Sequence, residues 1–188
     1  MKKKLNIENN FVIGHVGRFD VQKNHNSIID ILFSITKVRE DAVLLLVGDG
    51  PLKEEIEKKV DELGLSENVM FLGVQPDIAA LLSSMDVFLF PSLYEGLPVT
   101  LIEAQANGLP CVVSDTVTSE SKITDCVNFF PLNEPSEKWA EKVVESAKKE
   151  HCPNTYSSIA SAGYDIESNA HWLESFYLKA AHEKEKKE

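Results

Sequence analysis

Six short apolar runs, separated by stretches with helical periodicity, constrain this chain more than any other feature. Phe11–Val16, Ala42–Val47, Val69–Leu72, Val87–Phe90, Cys111–Val113 and Val127–Phe130 are rich in Val, Leu and Phe, the composition of strands buried on both faces. Helices are predicted over Asn26–Val38, Pro51–Leu63, Asp77–Ser84 and Pro98–Asn107, with a weak one near Ser119–Thr124. Gly64 and the Gly108-Leu109-Pro110 stretch stop the second and fourth of these, as glycine and proline do at helix ends. Parallel strands need crossover connections, and helices supply them. The alternation therefore specifies an α/β architecture, a Rossmann-like doubly wound parallel sheet of about six strands. Such sheets bind ligands beyond the carboxyl ends of their strands, where the strand order reverses.

The sheet core is predicted over about 10–132 and C-terminal helices over about 134–183, in a single domain spanning 1–188 with no internal repeat. Two helices are expected there, Ser136–Lys149 and Ile166–His182, with a frayed, solvated end at Glu183–Glu188. The last helix carries an apolar stripe of Ala170, Leu173, Phe176, Tyr177 and Ala180, with Trp172 to one side. Packing of that stripe on the chain's own body is the default expectation. A partner that the chain lacks is the alternative.

Composition narrows the function classes. Nineteen basic against thirty acidic residues give a net charge of −11, which argues against a nucleic-acid-binding surface. No apolar run reaches the roughly 18 residues that span a bilayer, and the Lys2-Lys3-Lys4 opening leads into polar sequence, not a signal peptide. Three cysteines, Cys111, Cys126 and Cys152, have neither metal-ligand spacing nor an even count. They read as reduced thiols of a cytoplasmic protein.

The stretch Pro91-Ser-Leu-Tyr-Glu-Gly-Leu-Pro-Val-Thr-Leu-Ile-Glu103 carries the sharpest chemical signal. An apolar strand runs into Pro91; a loop with Gly96 follows, then Pro98, a residue suited to the first helical position. Strand, glycine loop and helix N-terminus together make a place for an anion, held by free N–H groups and the helix dipole. Glu95 precedes that place and Glu103 lies a turn or more inside the helix, so the two carboxylates bracket it. An anion flanked by two acceptors for hydroxyl groups suggests a sugar nucleotide.

Three other loops fall at the same predicted edge. Gly17-Arg18 ends the first strand, and Lys23-Asn24 follow before the first helix. Arginine grips phosphate bidentately and lysine acts as a mobile point charge, although taken alone both read more readily as surface cations. Gly48-Asp-Gly-Pro51 follows the second strand, either to admit a ligand or to build a tight turn. Phe71-Leu-Gly73 ends the third. Asp115 after the fifth strand fits a helix cap, and His15 reads as a satisfied core histidine. No Walker or GxGxxG loop, no nucleophilic triad and no metal cluster is visible.

In this order, each after a predicted strand, these segments resemble the C-terminal, donor-binding half of a retaining glycosyltransferase of the family 4 (group 1) type with the GT-B fold. Glu95 and Glu103 match its Glu-x7-Glu pair, and Gly163-Tyr-Asp-Ile166 with the closing helix resembles the end of bacterial polysaccharide-synthesis members. The likeness covers essentially the whole chain. It implies that Arg18 and Lys23 hold the donor diphosphate and stabilise the leaving nucleoside diphosphate. It further implies that Gly17 and the Gly96-Leu97 backbone with Pro98 line the donor site, that Glu95 meets the transferred sugar and Glu103 the ribose, and that Met70 to Gly73 face the base. No metal cofactor is implied, because the two cations replace it.

A complete enzyme of this kind has a preceding acceptor-binding domain of similar size, and this chain begins near where the second domain begins. The chain is therefore expected to be the donor-binding domain alone, nearly inactive by itself. The resemblance implies a UDP-sugar or other nucleotide-sugar donor, and a glycan or lipid-linked acceptor held by the other domain. The full-length protein is expected in the cytoplasm, with peripheral association at the inner face of the membrane, and the closing helix is a candidate for self-association. Two other classes share the fold. A UDP-sugar 2-epimerase would need acid/base residues that the sequence does not reveal. A non-catalytic nucleotide-binding module would have no reason to gather Arg18, Lys23, Glu95 and Glu103 at one edge.

Overall fold

The computed structural model describes residues 1–149 and 151–185. Its strands are β1 (Phe11–Val16), β2 (Ala42–Val47), β3 (Val69–Gly73), β4 (Val87–Phe90), β5 (Cys111–Ser114) and β6 (Val127–Phe130). Its helices are α1 (Lys2–Leu5), α2 (His25–Thr36), α3 (Lys53–Glu62), α4 (Ile78–Leu82), α5 (Val99–Ala106), α6 (Ser136–Ser146), α7 (Thr155–Ile159) and α8 (Ile166–Glu185). All strand pairs are parallel and the sheet order is β3-β2-β1-β4-β5-β6. This is the Rossmann-like doubly wound arrangement that the alternation predicts. The order reverses between β1 and β4, so the crevice expected to hold a ligand opens between their carboxyl ends.

Successive strand residues point to opposite faces, and the core divides accordingly. Ile13, Leu44, Leu46 and Leu89 pack with α2, α3 and α6, including the buried Trp139, whose indole N–H donates to the Pro131 carbonyl at 3.2 Å. Val12, Leu45, Phe88 and Phe90 pack on the other face with α4 and α5. Strands β1, β2, β4 and β5 are buried at every position, whereas β3 and β6 are buried only at their first residue. Burial on both faces, expected of all six, thus fails at the sheet edges. Each edge strand has one neighbour, and the five residues of α4 cover little of β3.

The expected helices are present; α2 to α6 are one to three residues shorter than periodicity suggests, and α8 runs three residues further. Pro98 precedes α5 with non-helical ψ of 79° instead of opening it, and the weak helix near Ser119 is a single 3-10 turn, Ser119–Ser121. Short elements without a clear apolar period, α1 and α7, were not legible.

Two expectations are overturned. Cys126 and Cys152 are paired as a disulfide with Cα atoms 5.9 Å apart, while Cys111 is a free, buried thiol. After α6 the chain returns to the end of α5: the Cys152 N–H donates to the Gly108 carbonyl at 2.8 Å, and the Thr155 hydroxyl to that of Ala106, also at 2.8 Å. That return brings together cysteines 26 residues apart, which sequence spacing alone does not show. The second correction concerns α8. Trp172, Leu173, Phe176 and Tyr177 are exposed, so the stripe does not pack on the body. Gly163, at φ +86°, and the extended Asp165 turn the chain before α8 starts. The aromatic rings of the stripe pack on one another, Trp172 against Phe176 and Phe176 against Tyr177, each with centroids 5.6 Å apart. The Ala180 side chain and residues 186–188 of the expected frayed end lie outside the described residues.

Candidate functional site

The loop after β1 is tied to both neighbouring strands. Gly17 donates its N–H to the Val47 carbonyl and Phe19 to that of Asp49, at 2.9 and 3.1 Å. A Cβ at Gly48, which has φ +135°, would collide with the Gly17 carbonyl, and one at Gly50 with the Phe19 backbone. The glycines of this segment therefore serve the approach of one loop to the next. On the other side, Asn24 adopts the left-handed conformation at φ 55°. Its side-chain amide donates to the Pro91 carbonyl at 3.0 Å, and Leu93 donates its N–H to the Gln22 carbonyl at 2.9 Å. The turn carrying Lys23 is thereby fixed against the segment carrying Glu95.

Those two side chains meet. Lys23 Nζ stands 2.7 Å from Glu95 Oε1, with the side chains only 15% and 4% exposed. Gln22 Nε2 donates to the other carboxylate oxygen at 3.0 Å, and Lys23 Nζ also lies 4.9 Å from the centre of the Phe90 ring. A nearly buried pair has lost much of its hydration and holds because both partners are engaged. An incoming anion competes with Glu95 for the ammonium, and a released Glu95 gains the capacity to accept hydrogen bonds from hydroxyl groups.

Around this pair the predicted residues are distributed unevenly. Gly17 and the exposed Arg18 follow β1 directly, and among the described residues Arg18 forms no ion pair. Gly96 and Leu97 are exposed, Pro98 is buried, and no side chain caps the N-terminus of α5. Glu103 is exposed one turn inside α5, where partial desolvation raises the pKa of its carboxyl group. Gly73 ends β3 at φ +64°, opposite Val47 after a register shift, and its carbonyl accepts the Gly48 N–H at 2.9 Å. Met70 lies further back in β3, half-buried against the α4–α5 face of the core, so the structure does not bring its side chain to the edge with Gly73. Asp115 is not a helix cap; its Oδ1 accepts the Leu132 N–H at 2.9 Å and ties the ends of β5 and β6. His15 is not a satisfied core residue either, since its Nε2 is buried without a partner.

Sequence reasoning passed over Gln22 and His25. Nothing in their local pattern marks them, because their contacts come from β4 and β1. Among the described residues no group of His, Cys, Asp or Glu is placed to hold a metal ion, and no helix is long and apolar enough to cross a membrane.

Comparison with known proteins fits this geometry. Residues 1–165 match the family model for glycosyl transferases group 1. EpsF of Bacillus subtilis (strain 168), whose name proposes glycosyltransferase activity, is 40% identical over 172 residues, covering 88% of this chain and 44% of EpsF. The UDP-Gal:alpha-D-GlcNAc-diphosphoundecaprenol alpha-1,3-galactosyltransferase of Escherichia coli is 37% identical over 110 residues, 57% of this chain and 28% of that enzyme. The chain thus spans less than half the length of the curated relatives it matches. Among solved structures, Anabaena Alr3699/HepE in complex with UDP and glucose superposes with a TM-score of 0.75 at 23% identity, over 94% of this chain and 51% of that one. The C-terminal domain of LpcC from Francisella tularensis, a glycosyl transferase group 1 family protein, superposes at 0.69 and 19% identity, over 87% of this chain and 91% of that domain. The fold is one Rossmann-like half of the GT-B architecture, and the chain belongs to the group 1 glycosyltransferases.

Proposed function

We propose that this chain is the donor-binding domain of a retaining hexosyltransferase that uses a nucleotide sugar, in our reading a UDP-sugar, and that a further domain binds the acceptor. The observation that carries this reading is the Lys23–Glu95 pair at the β1–β4 switch point, beside the uncapped start of α5. A diphosphate over Gly17 finds Arg18 and Lys23 as cations and the Gly96–Leu97 backbone as a supporting dipole. It takes Lys23 from Glu95, and the freed carboxylate holds hydroxyls of the sugar. Glu103 holds the ribose, and the end of β3 near Gly73 faces the base.

In the transfer step the bond between the anomeric carbon and the donor phosphate oxygen breaks, and its electron pair leaves on that oxygen. The acceptor oxygen bonds to the anomeric carbon and gives up its proton to the departing phosphate. Arg18 and Lys23 stabilise the charge that develops on the leaving group, a role that elsewhere falls to a divalent cation; the reaction we propose is metal-independent. Positioning the acceptor belongs to the other domain, so the chain alone binds donor but transfers little. UDP in the HepE complex and the UDP-galactose and diphosphoundecaprenol in the name of the Escherichia coli relative support a UDP-sugar donor and a glycan or lipid-linked acceptor. With such an acceptor, the complete enzyme works in the cytoplasm at the inner face of the membrane.

Calorimetry of the chain with UDP, GDP, ADP and their hexose conjugates tests the reading. One nucleoside diphosphate family is expected to bind, without added metal and equally well in EDTA. Binding that vanishes in EDTA would reject the metal-independent site, and no binding by any nucleotide would reject the donor-domain assignment.

A further inference from the structure

Two imidazoles lie beneath this site, and the mechanism above uses neither. His15 is fully buried in β1, and its Nδ1 lies 2.9 Å from the Leu89 carbonyl. A carbonyl only accepts, so Nδ1 carries the proton, and Nε2 is a lone pair with no hydrogen-bond partner. His25 opens α2, is 2% exposed, and has a partner for neither ring nitrogen. The two rings meet edge to face with centroids 4.9 Å apart. Phe19 stacks on His25 at 4.1 Å, and Phe90 lies 5.8 Å from His15. Buried polar atoms without partners are uncommon in folded proteins and call for an explanation. Packing alone would be served better by an apolar side chain at either position.

Their location supplies the explanation. A Cβ placed on Gly17 would stand 2.9 Å from His15 Nε2 and 3.1 Å from the Cγ and Cδ atoms of Lys23. His15 therefore lies directly under Gly17, the floor of the candidate phosphate site, and the His25 ring packs against it. We propose that the His15–His25 pair takes up one proton when the donor diphosphate binds over Gly17, and so holds the phosphates from beneath as a positioning unit. The proposal rests on the nucleotide-sugar reading of the site.

In the free protein burial keeps both rings neutral. His25 is pushed down to about 4, with Asp20 opposing and Lys23 adding to the effect, and His15 is lowered by burial, by His25 and by Lys23. The charged groups around the pair are Asp20 and Lys23 from the turn, Glu95 through Lys23, and Arg18 next to Gly17. From β2 and β4 the pair meets the uncharged Leu46, Phe88, Phe90 and the Leu89 carbonyl. Each negative charge arriving within about 7 Å raises an imidazole by roughly 1.5 to 2 pH units at an effective dielectric constant near 20. Arg18 and Lys23 offset part of the field of a doubly charged diphosphate, so the net rise expected for His25 is about two pH units. The proton comes from solvent onto a His25 ring nitrogen.

Imidazole nitrogen NMR of the chain from pH 8 to 5, free, with uridine and with UDP, tests the proposal. His25 should stay neutral throughout when free and with uridine, and be half-protonated near pH 6 with saturating UDP. A His25 ring that stays neutral while the Gly17 and Arg18 amide signals report bound UDP would overturn the proposal and leave the nucleotide site standing. Unmoved Gly17 and Arg18 signals at millimolar UDP would overturn both. As a second measurement, UDP binding at pH 6 in buffers of different ionisation heat should show on the order of half a proton more uptake in the native chain than in His25→Asn. Protonation of UDP itself is common to both proteins, so equal uptake would overturn the proposal.

Discussion

The sheet body and the closing helix treat the same kind of residue in opposite ways. Phe88 and Phe90 are wholly buried in β4, whereas in α8 Phe176 is 55% and Trp172 64% exposed. Both segments carry a strong apolar signal in the sequence. They differ in what surrounds them: β4 has a strand on each side and helices over each face, while α8 leaves the body after Gly163. An apolar stripe thus states that a surface needs covering and leaves open what covers it. Among the described residues the stripe of α8 is covered by nothing but its own aromatic rings.

The largest expected effect is on transfer. If the stripe of α8 meets an acceptor-binding domain, the isolated chain lacks the group that aligns the acceptor, and alignment contributes several kcal/mol to such reactions. Side-by-side assays should show the chain at least about a thousandfold slower than the full-length protein. Equal rates would break the comparison at its root.

Unfolding measurements separate the two regions next. Phe88→Ala should cost about 3–5 kcal/mol in urea denaturation, and Phe176→Ala no more than about 0.5. A comparable loss for Phe176→Ala would mean that α8 is packed in solution. Acid should act on the body through its buried histidines. The His25 pKa is depressed from 6.5 to about 4 in the folded state. The stability tied to its neutral ring is therefore complete above pH 6.5 and is lost as pH falls toward 4, by about 3 kcal/mol at the lower end. In His25→Asn that part of the pH dependence should disappear.

Nucleotide binding probes the ordered edge of the body more finely. Arg18→Ala and Lys23→Ala should each weaken UDP by roughly 1.5–3 kcal/mol and leave uridine almost unchanged, because charge-assisted bonds to phosphate are lost. Glu103→Gln should weaken both ligands alike, through the ribose, by about 1 kcal/mol. Equal losses of UDP and uridine in the two cation variants would show that these side chains do not meet the phosphates.

Much of this body was legible because its signals are local. Ala42–Val47 and Val87–Phe90 are apolar throughout, and the expected strands match the observed ones residue for residue. Loops following different parallel strands share an edge by topology alone, which is why Gly17, Arg18 and Lys23 after β1 and Glu95 after β4 could be placed together from sequence. What escaped depends on contacts between distant segments. Gln22 gains its place from Glu95, 73 residues away, and His15 its orphan nitrogen from a ring that arrives with α2. Cys126 and Cys152 meet only because the chain returns beneath α5. Met70 has the right neighbours in sequence but sits too far back from the edge, a matter of where β3 ends.

The smallest expected effect tests whether a second copy of the chain can cover the exposed stripe of α8. If each copy offers roughly 300 Å² of apolar surface, pairing would remove about 600 Å² from water, worth on the order of 15 kcal/mol at 25 cal/mol per Å². Association itself costs about 4–15 kcal/mol, and stable interfaces bury at least about 1,200 Å². The two copies should therefore associate weakly, with dimers visible by light scattering only at high micromolar concentration. A chain ending at Gly163 should stay monomeric at the same concentrations, and Phe176→Ser should weaken association without changing the unfolding midpoint. Dimerisation that survives removal of α8 would place the sticky surface elsewhere, on the edges of β3 or β6. The exposed stripe would then no longer distinguish the closing helix from the body.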